Sequence, residues 1–201
     1  MTAWMVLDTE TTGLPADDRA RCEVRAVAVG VALVGPGGVL ASRSLLVCPP
    51  VWSYQTQAAE KIHGLSRAYI TAHGMSPAEA WATINGWTLE WQPAGLLAWN
   101  ASFDAEILAR LALDAGQSAP IPWPAVSLAV RPGVPDVAPE GCLLRWYRAL
   151  REARGQSRGR VALAAAAAAE GIAGRSGAFH GAEEDARIAA EILLRSLAPV
   201  P

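Results

Sequence analysis

Asp8 and Glu10 stand two residues apart in Trp4-Met5-Val6-Leu7-Asp8-Thr9-Glu10-Thr11-Thr12-Gly13. The apolar run before them reads as a strand over residues 3–10. Side chains alternate across a strand, so both acids project from one face. Neighbouring carboxylates repel, and a fold that keeps them together needs a positive partner between them. An all-oxygen ligand set suits a hard divalent cation such as magnesium or manganese. Such a chain must bring further ligands to this strand from distant segments. Asp104 and Asp185 are the candidates, and His180 lies five residues before Asp185. The competing reading of Asp8 and Glu10 is a solvated strand end running into the turn sequence Thr11-Thr12-Gly13-Leu14-Pro15.

The pattern along the chain predicts strands first, then strands and helices interleaved. Residues 24–34 are nearly all apolar and suit a strand buried on both faces. Gly35-Pro36-Gly37-Gly38 is a turn, and residues 39–47 pair back, which gives an antiparallel meander. Helices are expected near residues 57–62 and over 77–91, the second with Ser76 as cap and Pro77 in its first turn. Residues 95–100 form a short strand and 103–113 a helix. The proline-rich stretch 121–139 holds an extended piece at 125–130. Helices follow at 142–154, at 160–170 with its alanine run, and at 182–197. The expected fold is α/β: a mixed five-stranded sheet, antiparallel meander plus parallel strands, flanked by helices.

The whole chain, residues 1–201, reads as one domain with no internal repeat. A formal net charge of −2 supplies no global attraction for nucleic acid, so such binding requires a local patch. Cys22, Cys48 and Cys142 are odd in number and far apart, which fits neither a zinc site nor a disulfide framework. A reducing, cytoplasmic setting is the expectation. No secretory leader is apparent and no apolar run reaches the ~18–20 residues of a membrane span, so no membrane partner is expected. No glycine-rich phosphate loop ending in Lys-Ser/Thr occurs, which argues against a P-loop nucleotidase.

Asp104 shares a helix face with Ile107, Leu108 and Leu111, and Asp185 shares one with Ile188, Ala189 and Ile192. Both carboxylates therefore lie on stripes that face a core, where an unpaired charge is costly. Each could instead serve its helix N-terminus as a cap. The four acids together favour a shared cation site. His180, in Gly177-Ala178-Phe179-His180-Gly181, cannot share a helix face with Asp185 at that spacing and belongs to the preceding loop. From there an imidazole can take a proton from a metal-bound water.

Three segments in order, Asp8-Thr9-Glu10-Thr11-Thr12-Gly13, Asn100-Ala101-Ser102-Phe103-Asp104 and His180-x4-Asp185, resemble the three motifs of the DEDDh (DnaQ-like) exonuclease family. That family includes the proofreading epsilon subunit of bacterial DNA polymerase III. The match spans roughly residues 3–197. The resemblance implies a ribonuclease-H-like fold and release of nucleoside 5′-monophosphates from a 3′ end. Asp8, Glu10, Asp104 and Asp185 would hold two divalent metal ions, Mg2+ or Mn2+, with Asp8 shared and His180 as general base. The substrate-contacting positions it implies are Thr11, Gly13, Leu14, His63, Asn100 and Phe103, with His63 in the segment Ile62-His63-Gly64-Leu65-Ser66. The second motif departs from the family in having Trp99 before Asn100.

The forms of Thr9 and Thr11 lean towards DNA as substrate, with RNA or short oligoribonucleotides as the alternative and a DNA polymerase as a candidate partner. A non-catalytic domain that binds a polymerase or a nucleic-acid end is a reading of another class, and retention of every acid and of His180 argues against it. Arg145, Arg148, Arg151, Arg154, Arg158 and Arg160 form the strongest basic stretch, either a solvated surface or a backbone-tracking patch. Trp81, Trp87 and Trp91 fall near helical spacing and are expected in the core.

Overall fold

The computed structural model describes residues 3–117, 126–127, 137–157, 159 and 161–197. Strand β1 (Trp4–Thr11) is followed by a short helix α1 (Asp18–Glu23), β2 (Ala26–Gly35) and β3 (Gly38–Leu46). Helices α2 (Thr56–His63), α3 (Arg67–His73) and α4 (Pro77–Trp91) lead to β4 (Leu96–Ala98) and α5 (Ala101–Asp114). A two-residue strand β5 (Val126–Ser127) pairs with β6 (Val137–Ala138), and the chain ends with α6 (Leu143–Ala153), α7 (Leu163–Ala169) and α8 (Ala182–Leu197).

The main sheet has the order β3-β2-β1-β4. β1, β2 and β3 are antiparallel neighbours, and β4 lies parallel to β1. The expected meander and parallel addition are both present. Among the described residues this sheet has four strands, where the sequence predicts five. The extended piece expected at 125–130 falls largely outside the described residues. Its described part, Val126–Ser127, belongs to the small second sheet. Beyond β4, Ala98 and Cys142 form an isolated parallel bridge, so the chain does return along that edge, for one residue pair.

Two cores sandwich the sheet. Met5 and Leu7 point into one, with Ala80, Trp81 and Ile84 of α4 and Ile107, Leu108 and Leu111 of α5. Trp4 and Val6 point into the other, with Trp146 and Leu150 of α6, Ala166 of α7 and Ile188, Ile192 and Leu193 of α8. β2 is buried along both faces for this reason. Trp81 is buried in the first core, as expected, while Trp87 and Trp91 are half-buried against it and stack on each other at 6.4 Å. Ser76 and Glu79 form a reciprocal capping box at the start of α4, with Pro77 in the first turn.

Two arginines of the basic stretch at α6 are paired with acids, and Arg151 Nε donates to Gln156 Oε1 at 3.3 Å. Arg145 pairs with Glu140 at 2.8 Å and Arg154 with Glu170 at 2.8 Å, while Arg158 and Arg160 lie outside the described residues. No helix among the described residues is long and apolar enough to cross a membrane.

One contact sets how closely α8 meets the sheet. In the β1–β2 register Asp8 faces Gly30 and Glu10 faces Ala28. A Cβ at Gly30 would lie 2.1 Å from the backbone carbon of Ala182 and the backbone nitrogen of Glu183. Absence of a side chain there lets the first turn of α8 rest on β2. Glu183 then reaches β3, where Ser42 and Ser44 hydroxyls donate to its two carboxylate oxygens at 2.6 and 2.8 Å. Gly30→Ala puts a methyl group into backbone, which no rotamer change relieves. The variant should lose about 3 kcal/mol of stability, the upper end for overpacking. Urea unfolding checks this, with a midpoint equal to that of the intact protein as the contrary result.

Candidate active site

Even-numbered positions of β1 face α8 and odd-numbered ones face α5, and the site is built from this alternation. Asp8 and Glu10 project towards the start of α8. Thr9 projects the other way, and its hydroxyl donates to Asp104 Oδ1 at 2.9 Å. Asp104 sits in the first turn of α5, which Asn100 opens through its carbonyl, accepting from the Phe103 N–H at 2.9 Å. Asp185 sits in the first turn of α8, its N–H bonded to the Gly181 carbonyl at 2.8 Å. Asp104 and Asp185 are each 3% exposed, so both are buried as their helix faces predict.

His180 lies in the loop before α8, with its side chain 43% exposed and Nδ1 3.7 Å from Asp185 Oδ2. One donor atom each from Glu10, His180 and Asp185 lie within 4.8 Å of one another. Glu10 Oε1 is buried and has no hydrogen-bond partner. A buried, unpartnered carboxylate oxygen among other acids is the environment that a divalent cation satisfies.

The electrostatics carry the same mark. Burial raises the pKa of Asp8 well above the usual carboxylate range, and the charges of Asp104, Glu10 and Asp185 raise it further. Burial, then Asp185, pushes Glu10 up to about 7. Burial also pushes Asp104 up to about 7, against the opposing pull of the Thr9 hydroxyl and nearby backbone N–H groups. Burial and the Arg175 charge lower the pKa of His180 against the pull of Asp185, which favours a neutral imidazole able to accept a proton.

Beside the acids opens a cleft of about 350 Å³. Thr11, Gly13, Leu14, His63 and Phe103, all expected to meet substrate, line it together with Glu10 and His180. Asn100 is not among the lining residues. It is exposed at the start of α5, where its Oδ1 accepts from the Ser102 hydroxyl at 3.4 Å. His63 Nδ1 accepts from the Leu65 N–H at 3.1 Å, which leaves Nε2 as the protonated nitrogen, buried and turned towards the Thr11 backbone. Leu14 is 61% exposed at the rim, and Phe103 both lines the cleft and packs on the core under α5.

Two residues of this site carry no motif. Gln55 clamps the rim: its Oε1 accepts from the Leu14 N–H at 2.8 Å and its Nε2 donates to the Leu14 carbonyl at 3.0 Å. Gly13 (φ +154°) makes room for it, since a Cβ there would lie 2.6 Å from Gln55 Cβ. Arg175 grips Asp185, with Nε 2.7 Å from Oδ1 and Nη2 2.7 Å from Oδ2. The loop between Arg175 and α8 is fastened to α2. The His180 N–H donates to the Ile62 carbonyl at 3.0 Å, and the Phe179 ring lies against Gly64 (φ +73°), where a Cβ would come within 2.8 Å of it.

The raised carboxylate pKa values set the sign of the pH dependence. Glu10 and Asp104 hold protons in the folded state up to about pH 7, well above their unfolded values of 4.5 and 3.8. Between those limits the folded state binds more protons than the unfolded one, so stability falls as pH rises. Without metal, the melting temperature should drop between about pH 5 and about pH 8, and saturating manganese should reduce that drop. A metal-free melting temperature that rises over this window contradicts the electrostatics of the site.

No protein-family profile matches the sequence, and no curated protein matches it. Solved structures do match. The nuclease domain of 3′hExo, a DEDDh family member bound to rAMP, is 12% identical with a TM-score of 0.71, over 96% of this chain and 90% of that one. The zinc-bound form of the E. coli ExoI–ssDNA complex is 17% identical with a TM-score of 0.68, over 98% of this chain and 40% of that one. A 3′-exonuclease described in 3′-end recognition of a histone mRNA stem-loop is 12% identical with a TM-score of 0.68, over 96% of this chain and 80% of that one. The chain therefore has the α/β fold of the DEDDh 3′-exonucleases.

Proposed function

We propose that this protein is a metal-dependent 3′–5′ exonuclease that releases nucleoside 5′-monophosphates, with single-stranded DNA as its substrate. The observation that carries the reading is the convergence of acids from three separate segments beside His180 and the cleft. Asp8, Glu10, Asp104 and Asp185 would hold two divalent ions, Mg2+ or Mn2+, which when bound supply charge stabilisation to the attacking and leaving oxygens of an in-line displacement. The unpartnered Glu10 Oε1 and the mutual repulsion of the acids support that assignment.

The other steps belong to the chain's own residues. His180, neutral at working pH, takes the proton of the attacking water. Leu14, held by Gln55, and Phe103 offer apolar surface to the terminal base. His63 lines the same cleft and would offer its ring to the terminal nucleotide. Phosphoryl transfer depends mainly on positioning and charge stabilisation, and these groups divide the two tasks.

DNA is preferred for the Thr9 and Thr11 form of the first motif. Both hydroxyls are committed in the structure, Thr9 to Asp104 and Thr11 to the Gly13 carbonyl at 2.6 Å. RNA is the alternative substrate, and the 3′hExo domain of similar fold was solved with rAMP bound. A polymerase partner and a cytoplasmic location remain parts of the proposal that rest on the motif resemblance and on cysteine usage.

The test uses 5′-labelled single-stranded DNA and RNA of equal sequence, with manganese or with chelator. Stepwise shortening from the 3′ end that requires metal is expected, with DNA the faster substrate. Asp8→Ala and Asp185→Asn should abolish it, and His180→Ala should lower kcat by about 10²–10⁴-fold, the usual contribution of a general base. Gln55→Ala should raise KM more than it lowers kcat, because it loosens the rim and leaves the acids in place. Metal-dependent binding of either strand without shortening would replace the enzyme with an interaction domain. Faster shortening of RNA would move the substrate class.

A further inference from the structure

Arg175 pairs with one acid of the cluster, Asp185, and has no part in the reaction above. Its guanidinium meets Asp185 as a two-point fork, committing both carboxylate oxygens at 2.7 Å each. Charge-assisted forks of this kind are among the strongest side-chain pairings, and arginine keeps its charge throughout the physiological range. The same cation eases the ionisation of Asp8 and Glu10 and lies 3.3 Å, through Nη2, from His180 Nδ1. Arg175 thus supplies positive charge where the exonuclease reading places metal.

A divalent ion on Asp185 would stand a few ångström from this guanidinium, and the two cations would repel. We propose that Arg175 is a resident counter-ion of the acid cluster, which competes with divalent metal for Asp185 and leaves the carboxylate when the metal centre fills. The inference rests on the exonuclease reading, in which Asp185 is a metal ligand.

Its mechanical requirement is small. The neighbouring Ser176 N–H is tied to Glu184 Oε1 at 2.8 Å, and the His180 N–H to the Ile62 carbonyl at 3.0 Å. Release therefore needs rotation of one long side chain, with the loop in place. An added Cβ at Gly174 or Gly177 would meet nothing within 4 Å apart from its chain neighbours, so the loop is open at these two glycines. The freed guanidinium stays tethered beside His180 and is a two-point partner for a phosphate.

The experiment is a manganese titration of the metal-stripped protein by calorimetry, without nucleic acid. The intact chain is compared with Arg175→Met, Arg175→Lys and Asp8→Ala. Arg175→Met should bind manganese on the order of tenfold tighter than the intact protein, within the usual range of coupling between two sites. Arg175→Lys, which keeps the charge and loses the fork, should fall between them. Without metal, Arg175→Met should melt below the intact protein, and saturating manganese should narrow the gap. If Arg175→Met does not fold, Arg175→Lys decides alone. Manganese that binds the intact chain and is lost in Asp8→Ala, with no gain in either Arg175 variant, overturns the counter-ion and leaves the exonuclease reading standing. Absence of manganese binding in every form overturns both.

Discussion

The close seating of α8 on β2 is the constraint from which the site follows. Gly30 removes the one side chain that would hold the first helical turn off the sheet. Its place opposite Asp8 means that the gap it leaves lies on the face that carries the first two acids. Asp185, in that turn, then arrives beside Asp8 and Glu10. Glu183 locks the seat by taking the hydroxyls of Ser42 and Ser44 on β3. Geometry of this kind comes from backbone-on-backbone packing, which is stiffer than any arrangement of long side chains.

What is gained in position is lost in electrostatics. Buried acids repel one another and resist ionisation, so the folded chain carries strain at its own centre. The two flanking cores carry that load, with Trp146, Tyr147 and Met5 among the largest fully buried side chains. Thr9 and Arg175 lessen it locally, one by donating to Asp104 and the other by pairing with Asp185. A scaffold that holds unfavourable groups in place is a common signature of a site shaped for chemistry.

Much of this was legible because the informative patterns are local. The two-residue period of a strand puts Asp8 and Glu10 on one face, and the helical period buries Asp104 and Asp185. Arg175 and Gln55 were not legible, since each acts on a partner that local spacing does not reveal. Arg175 folds back across a glycine-rich loop, and Gln55 reaches Leu14 from another segment. Gly30 did leave a trace: a glycine inside an apolar strand often marks the close approach of another backbone. The short helices α1 and α3 lack a clear apolar period, so the residue pattern does not announce them. Helix α7 is shorter than the expected 160–170, because an alanine run has high helix propensity whether or not its ends are held.

The loop that carries His180 and the helix that walls the cleft are fastened together, by the Ile62 carbonyl and by the Phe179 ring on Gly64. Ile62 and His63, at the end of that helix, line the cleft itself. The cleft wall and the His180 imidazole are joined by these two contacts. Under the exonuclease reading, a terminal nucleotide that seats poorly against α2 also misplaces the imidazole. Discrimination among 3′ ends then enters the rate of bond breaking, and selectivity is exercised during turnover as well as at capture.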